Sequence, residues 1–435
     1  MGRLSGGAGV TEAAGVSSTG AAAGGLAQPA PGLQAPLKFI VTIENYTQLA
    51  QAYGEDFARG VVAALRVRAR ALGLAVRAGA VGDESRFVAV AAAAALGANR
   101  DVSAVLAQLG GMPVERAGRS VLAALRADTI EPRPLPAGAG AGGGAGISAE
   151  RGPAERGRRA PALPRDAWRC AYLADMDQAL RLYRHLAGGE LLFAFQPVAA
   201  RRAPSCPVYL EALLRAPASD GAVLSVGHAI GALERLGLMR HVDHCVVGAV
   251  LDLLGAHPGL VLGCNVSAAS MADDGWWQPI LRRLQADRAL AGRLVLEITE
   301  STRIADPAAA LAFVRRLQGL GCRVALDDFG AGFANLEFAV QARPDIIKID
   351  IGYLRRAREC EAARAMLANL IRLCASIADH VVVEGMETRQ DLALLGDAPG
   401  LWLQGWWIGR PVPWLPGGGR AAVGMAGPGT VVFNG

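Results

Sequence analysis

Arg323-Val324-Ala325-Leu326-Asp327-Asp328-Phe329-Gly330-Ala331-Gly332 is the stretch on which the fold turns. Three apolar residues run straight into two adjacent carboxylates, and two glycines bracket the turn behind them. The apolar run predicts a buried strand, and the glycines predict the loop that ends it. Two neighbouring aspartates at a strand end repel each other unless a cation lies between them, which makes a divalent metal the first candidate.

Working outward, the pattern of a short apolar run closing on a polar residue repeats. Leu191–Pro197, Val208–Arg215, Val261–Ser267 and Leu294–Glu300 precede the Asp327-Asp328 run, and Ile346–Asp350, Val381–Glu387 and Leu401–Gly405 follow it. Stretches long enough for helices separate most of them. Eight strands over roughly 230 residues match the size of a (β/α)8 barrel, in which functional groups sit at the C-terminal ends of the strands. Only a short connection joins the first two runs, so an antiparallel pair and a modified TIM barrel are expected. A helix from about Asp166 to Gly188 leads into it.

The residues at those ends are Glu211, Asn265, Glu297, Asp327, Asp328, Lys348, Asp350, Glu384 and Glu387. Oxygen donors without histidine or cysteine suit Mg²⁺ or Mn²⁺ rather than zinc. So many acids at one barrel mouth are destabilising without cations, and two metals sharing a bridging carboxylate would relieve the repulsion. Lys348 and Asp350, two apart in a strand, are expected to face the same way, with Ile347 and Ile349 facing the other.

On these motifs the chain resembles the EAL-domain phosphodiesterases of cyclic di-GMP. The resemblance runs from about Leu191 to Pro411 through Glu211-Ala212-Leu213-Leu214-Arg215, Asn265-Val266-Ser267, Glu297-Ile298-Thr299-Glu300, Asp327–Gly332, Lys348-Ile349-Asp350, Glu384-Gly385-Met386-Glu387 and Gln404-Gly405. It implies that Glu211, Asn265, Glu297 and Asp327 hold one metal and Asp327 with Asp328 the second. It implies that Glu384 is the general base or water-orienting acid and that Lys348 positions the attacking water, and it places Glu387 beside them. Glu300 would anchor the loop after Asp328 and link the site to the family's dimer interface. Gln196, Arg215, Asp350 and Gln404 would face the substrate. The implied reaction is a two-metal hydrolysis of cyclic di-GMP to linear pGpG. The alternative is a barrel that binds cyclic di-GMP without cutting it, but such a module is expected to lose metal or base residues, and this chain keeps them. Ala216, Ala229, Gly231 and the Ala334-Asn335 pair depart from the family's usual residues without removing a ligand.

Upstream, strand-like Lys38–Ile43, a helical pattern over Tyr46–Leu72 broken by Gly73, strands Leu74–Arg77 and Arg86–Ala91, and a helix near Asn99–Leu109 predict a small α/β or α+β domain. Its turn Gly79-Ala80-Val81-Gly82-Asp83-Glu84-Ser85 resembles the signature of the GGDEF diguanylate cyclase fold. Val81 replaces one glycine, Thr42 stands at the first metal-binding aspartate with Glu44 two residues on, and Ala50 stands at the guanine-reading asparagine. The resemblance implies a GGDEF-like fold without cyclase activity, with GTP retained as a candidate regulatory ligand on the strength of Asp83 and Glu84.

The expected order is therefore a tail at 1–36, the GGDEF-like domain at 37–132, an Ala/Gly-rich linker at 133–164, the barrel at 165–418 and an apolar tail at 419–435. The first tail and the linker are too poor in large apolar residues to offset the entropy of ordering. The 55 glycines enlarge such stretches rather than the core. A net charge of +5 without a concentrated basic tract argues against duplex nucleic acid as a partner. Seven scattered cysteines without a Cys-x-x-Cys pair fit a reducing compartment. No apolar run is long enough to span a membrane and no signal peptide is evident, so a cytoplasmic protein, dimeric through the barrel, is expected. His241, Asp243 and His244 are expected on a partly exposed helix face, and Trp276-Trp277 in packing.

Overall fold

The computed structural model describes residues 37–78, 83–91, 101–130, 164–218, 223–299, 304–331, 336–396, 398–413 and 422–423. The expectations for the tail at 1–36, for Gly79–Gly82, for nearly all of the linker, for Glu300 and for Gly332–Asn335 fall outside these residues. The described residues form one compact unit. Among the described residues no helix is long and apolar enough to cross a membrane.

The barrel strands are β1 (Leu191–Ala200), β2 (Pro207–Pro217), β3 (Leu262–Ser267), β4 (Leu294–Thr299), β5 (Arg323–Phe329), β6 (Ile346–Ile349), β7 (His380–Val383) and β8 (Leu401–Gln404). Strands β2 to β8 pair in parallel in chain order, and β1 closes the ring antiparallel to both β2 and β8. The antiparallel pair is the one expected from the short connection at residues 201–206. The strands are near-continuous apolar runs because helices cover the outside while side chains fill the inside.

The period of two along each strand sorts the barrel interior into layers. Val198, Tyr209, Val295, Ala325, Ile346, Val382 and Trp402 form a closed apolar cluster. Each lies two residues from a polar group: Gln196, Glu211, Glu297, Asp327, Lys348, Glu384 and Gln404. An apolar floor therefore underlies a polar layer. Gly263, two residues before Asn265, completes the floor without a side chain.

The N-terminal domain is a four-stranded antiparallel sheet in the order Ala75–Ala78, Arg86–Ala91, Leu37–Ile43, Leu125–Ile130. The helical pattern from Tyr46 is not one helix. It divides into Tyr46–Tyr53 and Glu55–Ala71 at Gly54, whose φ of 99° is a conformation that suits glycine. The next helix runs Val102–Gly110, where Asp101 caps the Ser103 amide at 2.9 Å.

Helix Arg165–Ala187 joins the two parts. Arg169 donates to the Ala52 carbonyl (2.8 Å) of the N-terminal domain. Asp175 takes a two-pronged ion pair from Arg235 (2.8 and 2.6 Å), and the Tyr183 hydroxyl donates to Leu238 O (3.1 Å) on the barrel side. At the other end, Ala422–Val423 pairs antiparallel with Leu192 and Leu191, so part of the expected C-terminal tail is built onto β1.

The reading of His241, Asp243 and His244 as a partly exposed face holds for His244, which is half-buried, and is corrected for the other two. Helix Met239–Ala256 turns His241 and Asp243 inward, and both are buried. His241 stacks on Trp276 at 5.1 Å between ring centres, and Tyr183 packs edge-on against it at 5.5 Å. Trp276 and Trp277 are buried packing residues, as expected.

Candidate active site

The centre of the polar layer is Lys348. Its Nζ lies 2.6 Å from Glu297 Oε2, 2.9 Å from Asp327 Oδ1, 2.9 Å from Glu384 Oε1 and 3.3 Å from Glu211 Oε2. Lys348 is 1% exposed and Glu297 is fully buried. Strand alternation brings them together, because the inward positions of β2, β4, β5 and β6 fall at one depth in the barrel.

One ammonium group cannot neutralise four carboxylates. Burial would lower the pKa of Lys348, but Asp327, Glu211, Glu297 and Glu384 outweigh it and hold the lysine charged, well above its usual range. Burial, reinforced by Glu211, pushes Glu297 well above the ordinary carboxylate range, against the pull of Lys348. Asp327 is raised by burial in the same way, and Glu384 is raised by burial to about 8. Asp328 is pushed up to about 6 by burial and by its neighbour Asp327. Glu211 alone moves down: burial acts against it, but Lys348 and hydrogen bonds from Gln404 Nε2 (2.6 Å) and Asn265 Nδ2 (2.6 Å) prevail.

This excess of buried negative charge is what a hard divalent cation would relieve. Two groups have carboxylate oxygens within 4.8 Å of one another: Glu211, Glu297 and Asp327, and Asp327, Asp328 and Glu384. They share Asp327. Among the described residues, Glu297 Oε1 and Asn265 Oδ1 are buried acceptors without a hydrogen-bond partner. Oxygen-only donors, a shared carboxylate and two orphaned acceptors fit a metal centre that Glu211, Asn265, Glu297, Asp327 and Asp328 would hold.

The remaining residues fall into four groups. Gln196 and Gln404 join the layer, with Gln404 Nε2 3.3 Å from Gln196 Oε1. Arg215 lies four residues further along β2, half-buried, its Nη1 on the Leu214 carbonyl at 2.9 Å. Asp350 does not continue β6. It caps helix Ile351–Glu359, where its Oδ1 accepts from Gly352 N at 2.9 Å, so the expectation of strand alternation from Lys348 to Asp350 is corrected. It still faces Asp328 closely enough to raise that group's pKa. Glu387 lies beyond β7 and is paired with Arg358 Nη1 at 3.2 Å. Arg358 also grips Asp391 through two hydrogen bonds and the Gly385 carbonyl through a third.

Other groups of the site were missed in the sequence. Tyr353 donates from its hydroxyl to the Gly330 carbonyl (3.1 Å), tying the turn after Asp328 to the helix after β6. Gly263 leaves the space that Glu297 and the Tyr209 ring occupy: a Cβ there would stand 2.3 Å from Glu297 Oε1 and 2.8 Å from Tyr209 Cε2. A glycine inside an apolar strand was the available signal. Asp328 itself adopts φ 55°, a conformation non-glycine residues rarely hold, at an irregularity of β5 where the register with β6 shifts between Leu326 and Phe329.

The closed barrel with one antiparallel strand and an acid-lined mouth around a buried lysine defines the class. The model of the EAL domain matches residues 179–411, more than half of the chain, and the chain belongs to the EAL domain family. It is 28% identical over 239 residues to the cyclic di-GMP phosphodiesterase PdeB of Shewanella oneidensis, covering 54% of this chain and 28% of that protein. It is 27% identical over 230 residues to MucR of Pseudomonas aeruginosa, described as a bifunctional diguanylate cyclase and cyclic di-GMP phosphodiesterase, covering 52% of this chain and 33% of that one. These matches span a third or less of the length of those relatives. Among solved structures, a phosphodiesterase structure of PaMucR in complex with c-di-GMP is 27% identical with a TM-score of 0.46, covering 56% of this chain and 97% of the other.

Proposed function

We propose that this chain is a divalent-metal-dependent phosphodiesterase that opens cyclic di-GMP to linear pGpG in the cytoplasm. The observation that carries the proposal is the pair of carboxylate groups sharing Asp327, gathered around Lys348 at the mouth of an EAL barrel. Mg²⁺ or Mn²⁺ bound there would polarise the phosphoryl oxygens and make water a competent nucleophile at neutral pH. Lys348, fixed by Glu297 and Asp327, would orient that water. Glu384, 2.9 Å from Lys348 and next to Asp327, would take its proton. Gln196 and Gln404 in the layer, with Arg215 and Asp350 beside it, would receive the nucleotide. The proton is returned to the leaving 3′ oxygen as the ring opens.

For the N-terminal domain we propose no cyclase activity. Glu84 accepts from the Tyr46 hydroxyl at 2.9 Å and faces Arg59 at 3.5 Å, while Glu44 is engaged by Arg240 and Arg126. These carboxylates are occupied within the fold, which gives a GTP site no support. Dimerisation through the barrel is supported by Leu336 and Val340, exposed one turn apart on helix Leu336–Ala342.

The test is incubation of the full chain with cyclic di-GMP and Mg²⁺ or Mn²⁺, followed by separation of the nucleotides. pGpG is expected from the wild type and not from Glu211→Ala. Binding without cleavage in both would replace the enzyme by a sensor of the same nucleotide.

A further inference from the structure

The chain directly after Asn265 is held from two sides. Asp243, buried on helix Met239–Ala256, accepts through Oδ2 from the Ser267 backbone N–H (3.2 Å) and the Ser270 hydroxyl (2.5 Å). Seven residues after Ser267, Asp274 Oδ2 accepts from Arg240 Nη1 at 2.5 Å. Arg240 Nε also reaches Glu44 Oε2 of the N-terminal domain at 3.2 Å. The Trp276 indole N–H donates to the Leu125 carbonyl of that domain at 2.9 Å, and Trp277 Nε1 closes the segment on Ser270 O at 2.7 Å. Arg240 and Asp243 stand three residues apart on one helix face.

We propose that Arg240 and Asp243 form a relay by which docking of the N-terminal domain positions Asn265 in the acid layer. The proposal deepens the phosphodiesterase reading of that layer and takes its functional meaning from it. The charge arrangement makes the contact decisive. Arg240 and Asp274 are buried, and Glu44 supplies the second negative partner of the guanidinium. Withdrawing the N-terminal domain removes Glu44 and Leu125 O together, so the Arg240 guanidinium loses one of its two carboxylate partners, the Trp276 indole loses its acceptor, and both meet water in their place. Asp274 and Trp276 both belong to residues 268–277, so the loss of these contacts loosens that segment, and Ser267, two positions from Asn265, is the point where it meets β3. The N-terminal domain is thereby a positioning partner of the site and needs no nucleotide of its own to act as one.

The test uses the full chain, with Glu44→Ala on the N-terminal domain, Arg240→Met on the barrel and Asp243→Ala at the far end of the relay. Two measurements are made without cyclic di-GMP: amide hydrogen exchange across residues 262–277, and Mn²⁺ titration by calorimetry. Each variant is expected to speed exchange in this segment and to weaken Mn²⁺ binding about tenfold, the usual cost of removing a group that orients a metal ligand. At saturating Mn²⁺ the hydrolysis rate of Glu44→Ala is expected within about twofold of wild type. Unchanged exchange and unchanged Mn²⁺ affinity in a folded Glu44→Ala protein would overturn the relay. If Arg240→Met does not fold, Glu44→Gln, which keeps an acceptor for Arg240, decides beside Glu44→Ala: protection restored toward wild type in Glu44→Gln supports the relay, and protection no better than in Glu44→Ala overturns it. A wild type that binds Mn²⁺ but never yields pGpG removes the enzymatic reading alone, because the exchange measurement judges the relay separately.

Discussion

Gly263 and Glu297 approach so closely inside the barrel that a Cβ at position 263 would stand 2.3 Å from Glu297 Oε1. The floor of the site is thus shaped by a missing side chain. Gly263→Ala is expected to cost about 1–3 kcal/mol by overpacking against Glu297 and Tyr209. It is also expected to lower pGpG formation about a hundredfold, since small displacements of positioned groups cost that much. Chemical denaturation and initial rates check it, and wild-type values for both would show that Glu297 has room to move.

Lys348 is the sole lysine among five carboxylates of the layer, Glu211, Glu297, Asp327, Asp328 and Glu384. Lys348→Met leaves buried acids without their internal cation and is expected to destabilise the metal-free protein by about 3–5 kcal/mol. Mn²⁺ is expected to restore a large part of that stability while activity stays lost. Denaturation curves in chelator and in excess Mn²⁺ measure both effects; equal stability of variant and wild type in chelator would contradict the charge argument.

Glu384 and Glu387 are three residues apart, yet they do different work. Glu384 touches Lys348, whereas Glu387 is paired with Arg358. Glu384→Gln is expected to reduce the turnover number by 10²–10⁴, the range for loss of a positioned proton acceptor. Glu387→Gln is expected to change it less than about threefold. Steady-state kinetics at saturating metal separate the two, and equal losses would return Glu387 to the reacting groups.

Asp243 gives a pH signature. Burial pushes its pKa to about 7, against the hydrogen bonds from Ser270 and Ser267. The folded chain therefore keeps a proton that the unfolded chain releases near pH 4. Its contribution to stability is fully present below that pH and is lost as the pH rises to about 7. Buried His241, depressed to about 3, acts in the opposite sense, its share of stability growing as pH rises from about 3 to 6.5. Asp243→Asn removes only the first slope, so its stability relative to wild type is expected to climb between pH 4 and 7 and then level. Urea unfolding at several pH values measures the difference, and a flat difference would mean Asp243 is ionised in the fold.

The barrel was legible because its strands are buried on both faces. Each is therefore written as an apolar run broken by an inward polar residue, which lies mid-strand at Glu211 and within two residues of the strand end at Asn265, Glu297, Asp327, Lys348 and Glu384. Glu211, Asn265, Glu297, Asp327, Lys348 and Glu384 could be read in that way one strand at a time. In the N-terminal domain Gly73 was legible as a stop, but Gly54, flanked by helical patterns on both sides, was not.

What the sequence determined by itself was local: which residues share a strand face, and that acids without histidine or cysteine suit a hard cation. What only the tertiary structure decided was which of those residues meet. Asp350 caps a helix, Glu387 goes to Arg358, His241 turns inward between Trp276 and Tyr183, and Asp243 turns inward onto Ser267 and Ser270. The ion pair of Glu44 with Arg240 joins positions 196 residues apart. The physical reason is range. A strand's period fixes the direction of a side chain within a few residues, whereas burial and charge pairing depend on surfaces that come together only when the whole chain has closed.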